Sequence, residues 1–359
     1  MPKNRRLPQH ILVLRLSAMG DVAMLPYAVG DLKKAYPDVK VTVATRPEFR
    51  PFFGNLDIEF LPVDVKKRYH GFSGLITLSK ILRRTGIDAF ADEHGVLRSV
   101  FLRLMMRLHG VKVARIDKGK AEKRELLKAR DKNDIWLKHT VTRYCDTFRA
   151  LGFDFPDPPK AEKRPRPNPL PEAEGRVKVG FAPFSAHQGK TCPDGKRQEI
   201  TRLLCERFDR VFIHSGGGAE AVFAQEMEHT YPNVTAVYGK VKGLEQEMDL
   251  ISNLDCMVSM DSLAMHLSSL VATPVVSVWG ATHPKLGFLG YGAPRDGIVQ
   301  ADLDCRPCST YGNKECRLGT YSCLSAISPV EVVDRVEAII AKYGANSTEQ
   351  ADEVCEAAV

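Results

Sequence analysis

ILVLRLSAMGDVAMLPYAVGDLKKAY, residues 11–36, opens with an apolar run, Ile11–Leu16, interrupted only by Arg15. A near-continuous apolar run of that length marks a strand buried on both faces, as in a parallel sheet. The chain then turns through Ser17-Ala18-Met19-Gly20-Asp21 into a segment that carries Val22, Leu25, Val29, Leu32 and Tyr36 on one helical face and stops before Pro37. Strand, short polar turn and amphipathic helix form the repeating unit of α/β folds.

The unit recurs along the chain. Strands are predicted at Val39–Ala44, Ile58–Val63, Ile87–Ala91 and Val111–Arg115, with helices at Phe72–Arg84, Val96–Leu108 and Thr140–Leu151. A second series has strands at Val177–Ala182, Arg210–His214, Val234–Val237, Cys256–Ser259 and Val275–Trp279. Its helices are predicted at Gln198–Phe208, Ala219–Thr230, Leu244–Ser252 and Ser262–Val271, and a final amphipathic one at Pro329–Lys342. Between the two series, seven prolines fall from Pro156 to Pro171 among charged residues, a composition that neither helix nor central strand accepts. The expected organisation is an N-terminal α/β domain over 1–155, a proline-rich linker over 156–175 and a C-terminal α/β domain over 176–328. A closing helix over 329–345 and a disordered polar tail over 346–359 complete it.

At 359 residues, 44% hydrophobic and 26% charged, the chain has enough apolar content for two domain cores, which excludes disordered and collagen-like classes. No apolar run approaches the roughly 18–20 residues of a spanning helix, and the basic start lacks the long apolar region and cleavage site of a signal peptide, so a cytoplasmic location is expected. The net charge of +7 conceals an asymmetry: residues 1–170 hold 34 Lys+Arg against 19 Asp+Glu, and the remainder 17 against 25. Solvated surfaces of different lineage account for this, as does an anionic partner for the first half, such as a phosphorylated lipid, a membrane surface or nucleic acid.

In paired α/β domains, ligands bind outside the carboxyl ends of strands, so the chemistry is expected in loops that follow strands, in a cleft between the domains. Four loops qualify. Ser17–Asp21 offers glycine for close backbone approach and the Asp21 carboxylate, although Asp is also common at a helix N-cap or first turn, where the dipole would make it a weaker base. Ala182–Pro193 (APFSAHQGKTCP) carries Ser185 and Lys190, able to hold phosphate oxygens, without Walker spacing; an ordinary polar loop is the competing reading. His214–Glu220 holds three consecutive glycines and Glu220, a possible acceptor for ribose hydroxyls or simply a flexible turn. Met260–Leu267 places Asp261 and Ser262 at a helix start that can receive a diphosphate, with His266 one turn later; a cap and a core histidine would look the same.

These loops, in this order, resemble glycosyltransferase family 9, the ADP-heptose:lipopolysaccharide heptosyltransferases. The matching stretches are residues 11–43, the APFSAHQGKTCP loop, the GGG-Ala-Glu turn, VSMDSLAMHLSSLVATPVVSVWGATHP and CRPCSTYGNKECRLGTYSCLSAISPVEVV, which span most of the chain. The resemblance implies a fold of two Rossmann-like domains facing a cleft (GT-B type), with the acceptor in the N-terminal domain, the nucleotide sugar in the C-terminal one, and the last helix packing back on the first domain. It also implies inverting transfer of a heptose to a hydroxyl of the Kdo-lipid A or heptosyl inner core, with no metal required for catalysis. Asp21 would be the general base, Lys190 and Ser185 would meet the diphosphate, Glu220 the ribose, and Asp261, Ser262 and His266 the sugar and diphosphate. Where the family commonly has glycine in its Asp-[Ser/Thr]-Gly-x-x-His run this chain has Leu263, and its lysine loop lacks the family's tryptophan. Both departures leave the donor open between ADP-heptose and another nucleotide sugar.

A phosphorylated lipid A-core acceptor would account for the basic first half, with Lys66, Lys67, Arg68, Arg83, Arg84 and the run Lys118–Arg130 as candidate contacts and Gly119–Lys132 as a mobile loop closing over it. The inner face of the cytoplasmic membrane is then an expected peripheral partner. Nucleic acid is not, because aromatic-basic interleaving and reader motifs are missing. Cys305, Cys308, Cys316 and Cys323 have the count for a structural zinc site but not paired CxxC spacing, and reduced thiols packing a loop compete with it. Other activities weighed are a nucleotide-sugar epimerase or hydrolase and a non-catalytic sugar-binding protein, which would not need Asp21.

Overall fold

The computed structural model of the chain describes residues 7–54, 56–129, 135–171 and 176–344; the predicted tail over 346–359 lies outside the described residues. The chain divides into two compact units, one of residues 1–120 and 138–159, the other of residues 121–137 and 160–359.

The first unit holds strands β1 (His10–Leu14), β2 (Lys40–Thr45), β3 (Glu59–Pro62), β4 (Ala89–Asp92) and β5 (Lys112–Arg115). All pair in parallel, in the order β3-β2-β1-β4-β5. The opening strand is central and all five of its side chains are buried, which is why Ile11–Leu14 reads as an unbroken apolar run. Helices α1 (Met19–Ala23) and α2 (Leu25–Ala35) divide the predicted first helix at Met24, ahead of Pro26 in the first turn of α2. Helices α3 (Gly71–Arg84) and α4 (Leu97–Leu108) bury Leu78, Leu82, Leu102 and Met106 in a core shared with Leu12, Leu14 and Phe90 of the sheet. Helix α5 (Lys120–Lys128) follows, and α6 (Thr140–Ala150) returns to the first unit with Tyr144 and Phe148 fully buried.

The described part of the mobile loop expected over Gly119–Lys132 is instead largely helix α5, and residues 130–132 lie outside the described residues. Leu126 is buried, and the Lys123 ammonium lies 4.0 Å from the centre of the Phe288 ring, so a charged run that reads as a solvated loop is ordered by two packing side chains. Arg295 over Trp136 and the Leu137 N–H to Lys285 carbonyl bond (2.9 Å) complete the attachment of residues 121–137 to the second unit.

The second unit holds six parallel strands: β6 (Lys178–Ala182), β7 (Arg210–Ile213), β8 (Val234–Ala236), β9 (Cys256–Met260), β10 (Val275–Trp279) and β11 (Ile298–Gln300). Their order, β11-β10-β9-β6-β7-β8, is the Rossmann arrangement, with the reversal between β6 and β9. Helices α7 (Asp194–Arg207), α8 (Ala219–Thr230), α9 (Gly243–Ser252) and α10 (Leu263–Leu270) cross between strands, and the short α11 (Ser322–Ser325) precedes α12 (Pro329–Tyr343).

The closing helix packs within the second unit. Val332, Val333, Val336 and Ile339 of α12 are consumed in the second unit's core with Val258, Val276 and Val299, and Arg207 of α7 pairs with Asp334 at 2.5 Å. The proline-rich segment is also anchored there from Lys160 on: Lys163 reaches Thr273 Oγ1 (3.3 Å), and Arg166 pairs with Asp249 at 2.6 Å. Among the described residues no helix is long and apolar enough to cross a membrane.

Candidate functional site

In each sheet the strand order reverses beside its first strand, and an open α/β sheet presents a crevice at that point, beyond the carboxyl ends of the two strands. Asp21 falls at the first of these places, and Ser185, Lys190, Asp261, Ser262 and His266 at the second.

In the second unit Ala182 of β6 pairs in register with Ser259 of β9, so the loops leaving those strands start side by side. The first loop is folded on itself: Cys192 N–H donates to the Pro183 carbonyl (2.9 Å), and Thr191 Oγ1 donates to the Ser185 carbonyl (3.0 Å). Ser185 Oγ donates to the Asp261 carbonyl (3.3 Å), and Lys190 Nζ stands 3.4 Å from Asp261 Oδ2. This long ion pair leaves the ammonium donors for another anion. Thr282, in the loop after β10, donates its hydroxyl to the same carboxylate oxygen at 2.7 Å. Ser262 is the N-cap residue of α10 but does not cap it; its hydroxyl meets that of Ser259 at 3.2 Å, which leaves the first N–H groups of the helix available to an anion. His266 is buried on α10, one turn in.

Glu220 stands apart from this group, in the first turn of α8, where its carboxylate accepts the Gly216 N–H at 2.8 Å. The glycine triplet has steric causes: Gly218 has a left-handed φ of +66°, and a Cβ on Gly217 would lie 2.9 Å from the Tyr238 hydroxyl.

Arg306 ties the cysteine-rich loop to this centre. Its buried guanidinium donates to the carbonyls of Gly280 (2.5 Å), Ala301 (2.5 Å) and Thr282 (3.0 Å), and burial lowers its pKa to about 10. On the same loop Gly312 has φ +73°, and a Cβ there would come within 2.4 Å of Lys190 Cγ, so the lysine stem runs against bare backbone. Cys305, Cys308, Cys316 and Cys323 are free thiols, and burial pushes Cys323 up to about 11. Among the described residues no group of three or more His, Cys, Asp or Glu is placed to hold a metal ion, so the zinc reading finds no ligand set.

In the first unit the β1–β4 pairing continues past the strands, with Glu93 N–H donating to the Leu14 carbonyl at 3.1 Å. Arg15 and Glu93 are thereby neighbours. Arg15 Nη2 contacts Asp21 Oδ2 at 2.5 Å, and Nη1 donates to the Glu93 carbonyl at 2.5 Å. Asp21 is a first-turn residue of α1, accepting the Ala18 N–H at 3.2 Å, and Tyr144 Oη donates to its carbonyl at 2.9 Å. Burial disfavours the charge on Arg15, but Tyr144, Asp21 and Glu93 outweigh it and keep the guanidinium protonated. Burial raises the Glu93 carboxyl well above the ordinary range, against the Thr147 hydroxyl bond and the Arg15 charge, which lower it. Lys118, half-buried, is lowered by burial and by Arg15, and is near enough to Asp21 to feel its charge.

His94 completes the cluster. It is 6% exposed, and its Nδ1 has no hydrogen-bond partner among the described residues. Burial, then the charges of Arg15 and Lys118, lower its pKa to about 4, so it is neutral when folded. Its unfolded value is near 6.5. The unfolded state therefore takes up the extra proton, and the residue's stabilising contribution is complete above about pH 6.5 and is lost as pH falls towards 4. Between those limits the stability difference between wild type and His94→Gln should shift in the variant's favour by about 3 kcal/mol. Urea unfolding of both proteins at pH 7 and near pH 4 measures this. A difference independent of pH would show that His94 is not held neutral.

The predicted basic residues divide. Lys118 is at the Asp21 cluster, whereas Lys66, Lys67 and Arg68 lie in the turn after β3, the first two donating backbone N–H groups to Asp64. Arg83 and Arg84 end α3, where the chain re-enters the sheet at the amino end of β4, the edge opposite Asp21. Arg15, Glu93, His94, Thr282 and Arg306 are additions from the structure. An acidic pair and a histidine closing an apolar strand, Asp92-Glu93-His94, was the available signal for two of them.

Residues 75–319 match the model of glycosyltransferase family 9 (heptosyltransferase). Lipopolysaccharide heptosyltransferase 1 of Escherichia coli strain K12 is 25% identical over 309 residues, covering 80% of this chain and 95% of that protein. Two solved structures share the fold. A glycosyl transferase family 9 protein from Veillonella parvula superposes with a TM-score of 0.72 at 17% identity, covering 93% of this chain and 98% of that one. The E. coli heptosyltransferase WaaC with ADP gives 0.63 at 21%, covering 92% and 99%.

Proposed function

Because this chain belongs to glycosyltransferase family 9, we propose that it moves a heptose from ADP-heptose to a hydroxyl of the lipopolysaccharide inner core, by inverting displacement with Asp21 as general base. The observation that carries the donor half is the Lys190–Asp261–Ser185 group at the strand reversal of the second unit, beside the uncapped start of α10. An ammonium and free helix N–H groups are the donors that a departing diphosphate requires, and they stabilise its charge as the glycosidic bond breaks. Ser185 donates to a phosphate oxygen, Glu220 accepts from a ribose hydroxyl, and Asp261, Ser262 and His266 surround the sugar and diphosphate. The relatives support the reading: one is a lipopolysaccharide heptosyltransferase, and one fold neighbour was solved with ADP.

In the first unit Asp21 takes the proton of the acceptor hydroxyl as the oxygen attacks the anomeric carbon from the face opposite the diphosphate, which inverts that centre. Arg15 fixes the carboxylate. Half-buried Lys118 faces the acceptor's anionic groups. No step is assigned to a metal.

A calorimetric panel of ADP, UDP, GDP and CDP tests the donor, followed by product analysis with ADP-heptose and a Kdo-lipid A acceptor. Preference for ADP and a heptosylated product are expected. Preference for another nucleotide would move the donor and direct attention to Leu263. ADP binding without transfer to any core acceptor would favour a non-catalytic binder.

A further inference from the structure

Helices α3 and α4 of the first unit leave apolar side chains in water. On α4, Leu97 is 90% exposed, Leu104 54% and Leu108 70%, with Val100 between them. At about 100° per residue these four lie within a strip about 80° wide running the length of the helix. On α3, Phe72 is 65% exposed and Ile76 lies on the same face, and the Phe72 ring meets Phe101 of α4 edge-on at 5.2 Å, which joins the two strips into one surface. Apolar side chains concentrated in this way on a folded chain mark a contact surface.

The charge around the surface is of one sign. Residues 65–87 contain six Lys or Arg and no acid, and residues 94–116 contain five and no acid. Lys80 and Arg83 continue the Phe72–Ile76 face towards the end of α3, and Arg107 flanks the α4 strip; all three are exposed.

From this juxtaposition we propose that the α3–α4 face is a docking surface for an anionic lipid bilayer: its leucines and Phe72 enter the acyl boundary while Lys80, Arg83, Arg84 and Arg107 pair with headgroup phosphates. An apolar stripe edged by basic residues, lying flat, is what an interfacial helix presents. A second copy of the chain is disfavoured as occupant, because it would bring two acid-free basic surfaces together. Both helices start at the sheet edge from which the Asp21 loop emerges, so a lipid-anchored acceptor would meet that edge. To that extent the proposal rests on the acceptor reading above, but vesicle binding is measured without any sugar transfer.

The test is co-sedimentation of the full chain with phosphatidylglycerol-containing vesicles and with pure phosphatidylcholine vesicles. Wild type should partition to the former, less so as salt rises. Arg83→Gln/Arg84→Gln/Arg107→Gln should lower that partition about a hundredfold at low salt, from roughly fivefold per charge. Leu97→Ser/Leu104→Ser/Leu108→Ser should lower it at least about tenfold. Thermal melting and ADP affinity should stay at wild-type values in both variants, showing an intact fold. Equal partition to both lipids, or variants that bind vesicles as wild type does, overturns the proposal. So does a chain that ignores vesicles and sediments as a dimer dissociated by the leucine substitutions. Vesicle binding by a protein with no affinity for ADP would leave this surface standing and remove the transferase reading instead.

Discussion

Asp21→Asn should lower kcat for sugar transfer by about 10²–10⁴-fold and leave the dissociation constant for ADP within about twofold of wild type. Asparagine keeps the volume and an oxygen for the Arg15 contact but cannot take a proton from the acceptor hydroxyl. Because nucleotide binding is assigned to residues of the second unit, the loss should fall on turnover alone. Single-turnover transfer from ADP-heptose, with calorimetric titration of ADP on the same sample, separates the two. Undiminished transfer would remove Asp21 from the mechanism, and a parallel loss of ADP affinity would show that the substitution acts through the fold.

The second large effect concerns stability. Arg15 is almost fully buried, and its guanidinium is engaged by the Asp21 carboxylate, the Glu93 carbonyl and the face of the Tyr144 ring. Arg15→Met fills similar space but leaves Asp21 without its ion-pair partner and the Glu93 carbonyl without its donor. Removing one partner of a buried pair costs about 3–5 kcal/mol. Differential scanning calorimetry should find the melting of the first unit lowered by about 10 °C, with the second unit unaffected. Arg15→Lys should recover part of the stability, because the charge returns, but little of the turnover, because an ammonium lacks the planar fork that grips Asp21 and Glu93 together. A Met variant that melts as wild type would show that the buried charge is dispensable.

Much of this architecture is legible in the chain because parallel strands are buried on both faces. Their apolar runs locate ten of the eleven strands to within about two residues, a precision that element boundaries usually allow. The eleventh, Ile298–Gln300, has one buried side chain and no pattern to detect. Helix α5 was hidden for a related reason: KAEKRELLK carries six charged letters around Leu126 and Leu127, and its order comes from Lys123 packing on a ring 165 positions away. In the site, residues that follow their own strand were visible, since Asp21, Lys190, Glu220 and Asp261 each punctuate an apolar run. Their partners were not. Arg15 meets Glu93 across 78 positions, and Thr282 meets Asp261 across 21, because the sheet order sets strands distant in sequence side by side. Arg306 sits in a loop of cysteines and polar residues whose composition suggests a surface, and only its bonds to three main-chain carbonyls reveal a buried cation.

The excursion of residues 121–137 into the second unit means that the polypeptide passes between the units three times, after Lys120, Leu137 and Pro159. Exchange of donor specificity with a relative would therefore not be achieved by one splice in the proline-rich segment. Such a hybrid would keep the recipient's Lys123, Trp136 and Leu137 against a foreign Phe288, Arg295 and Lys285, and functional chimeras should require three junctions, with residues 121–137 travelling alongside everything from Lys160 onward. Inheritance in this architecture is partitioned by contact, and the two heritable modules are interleaved along the gene.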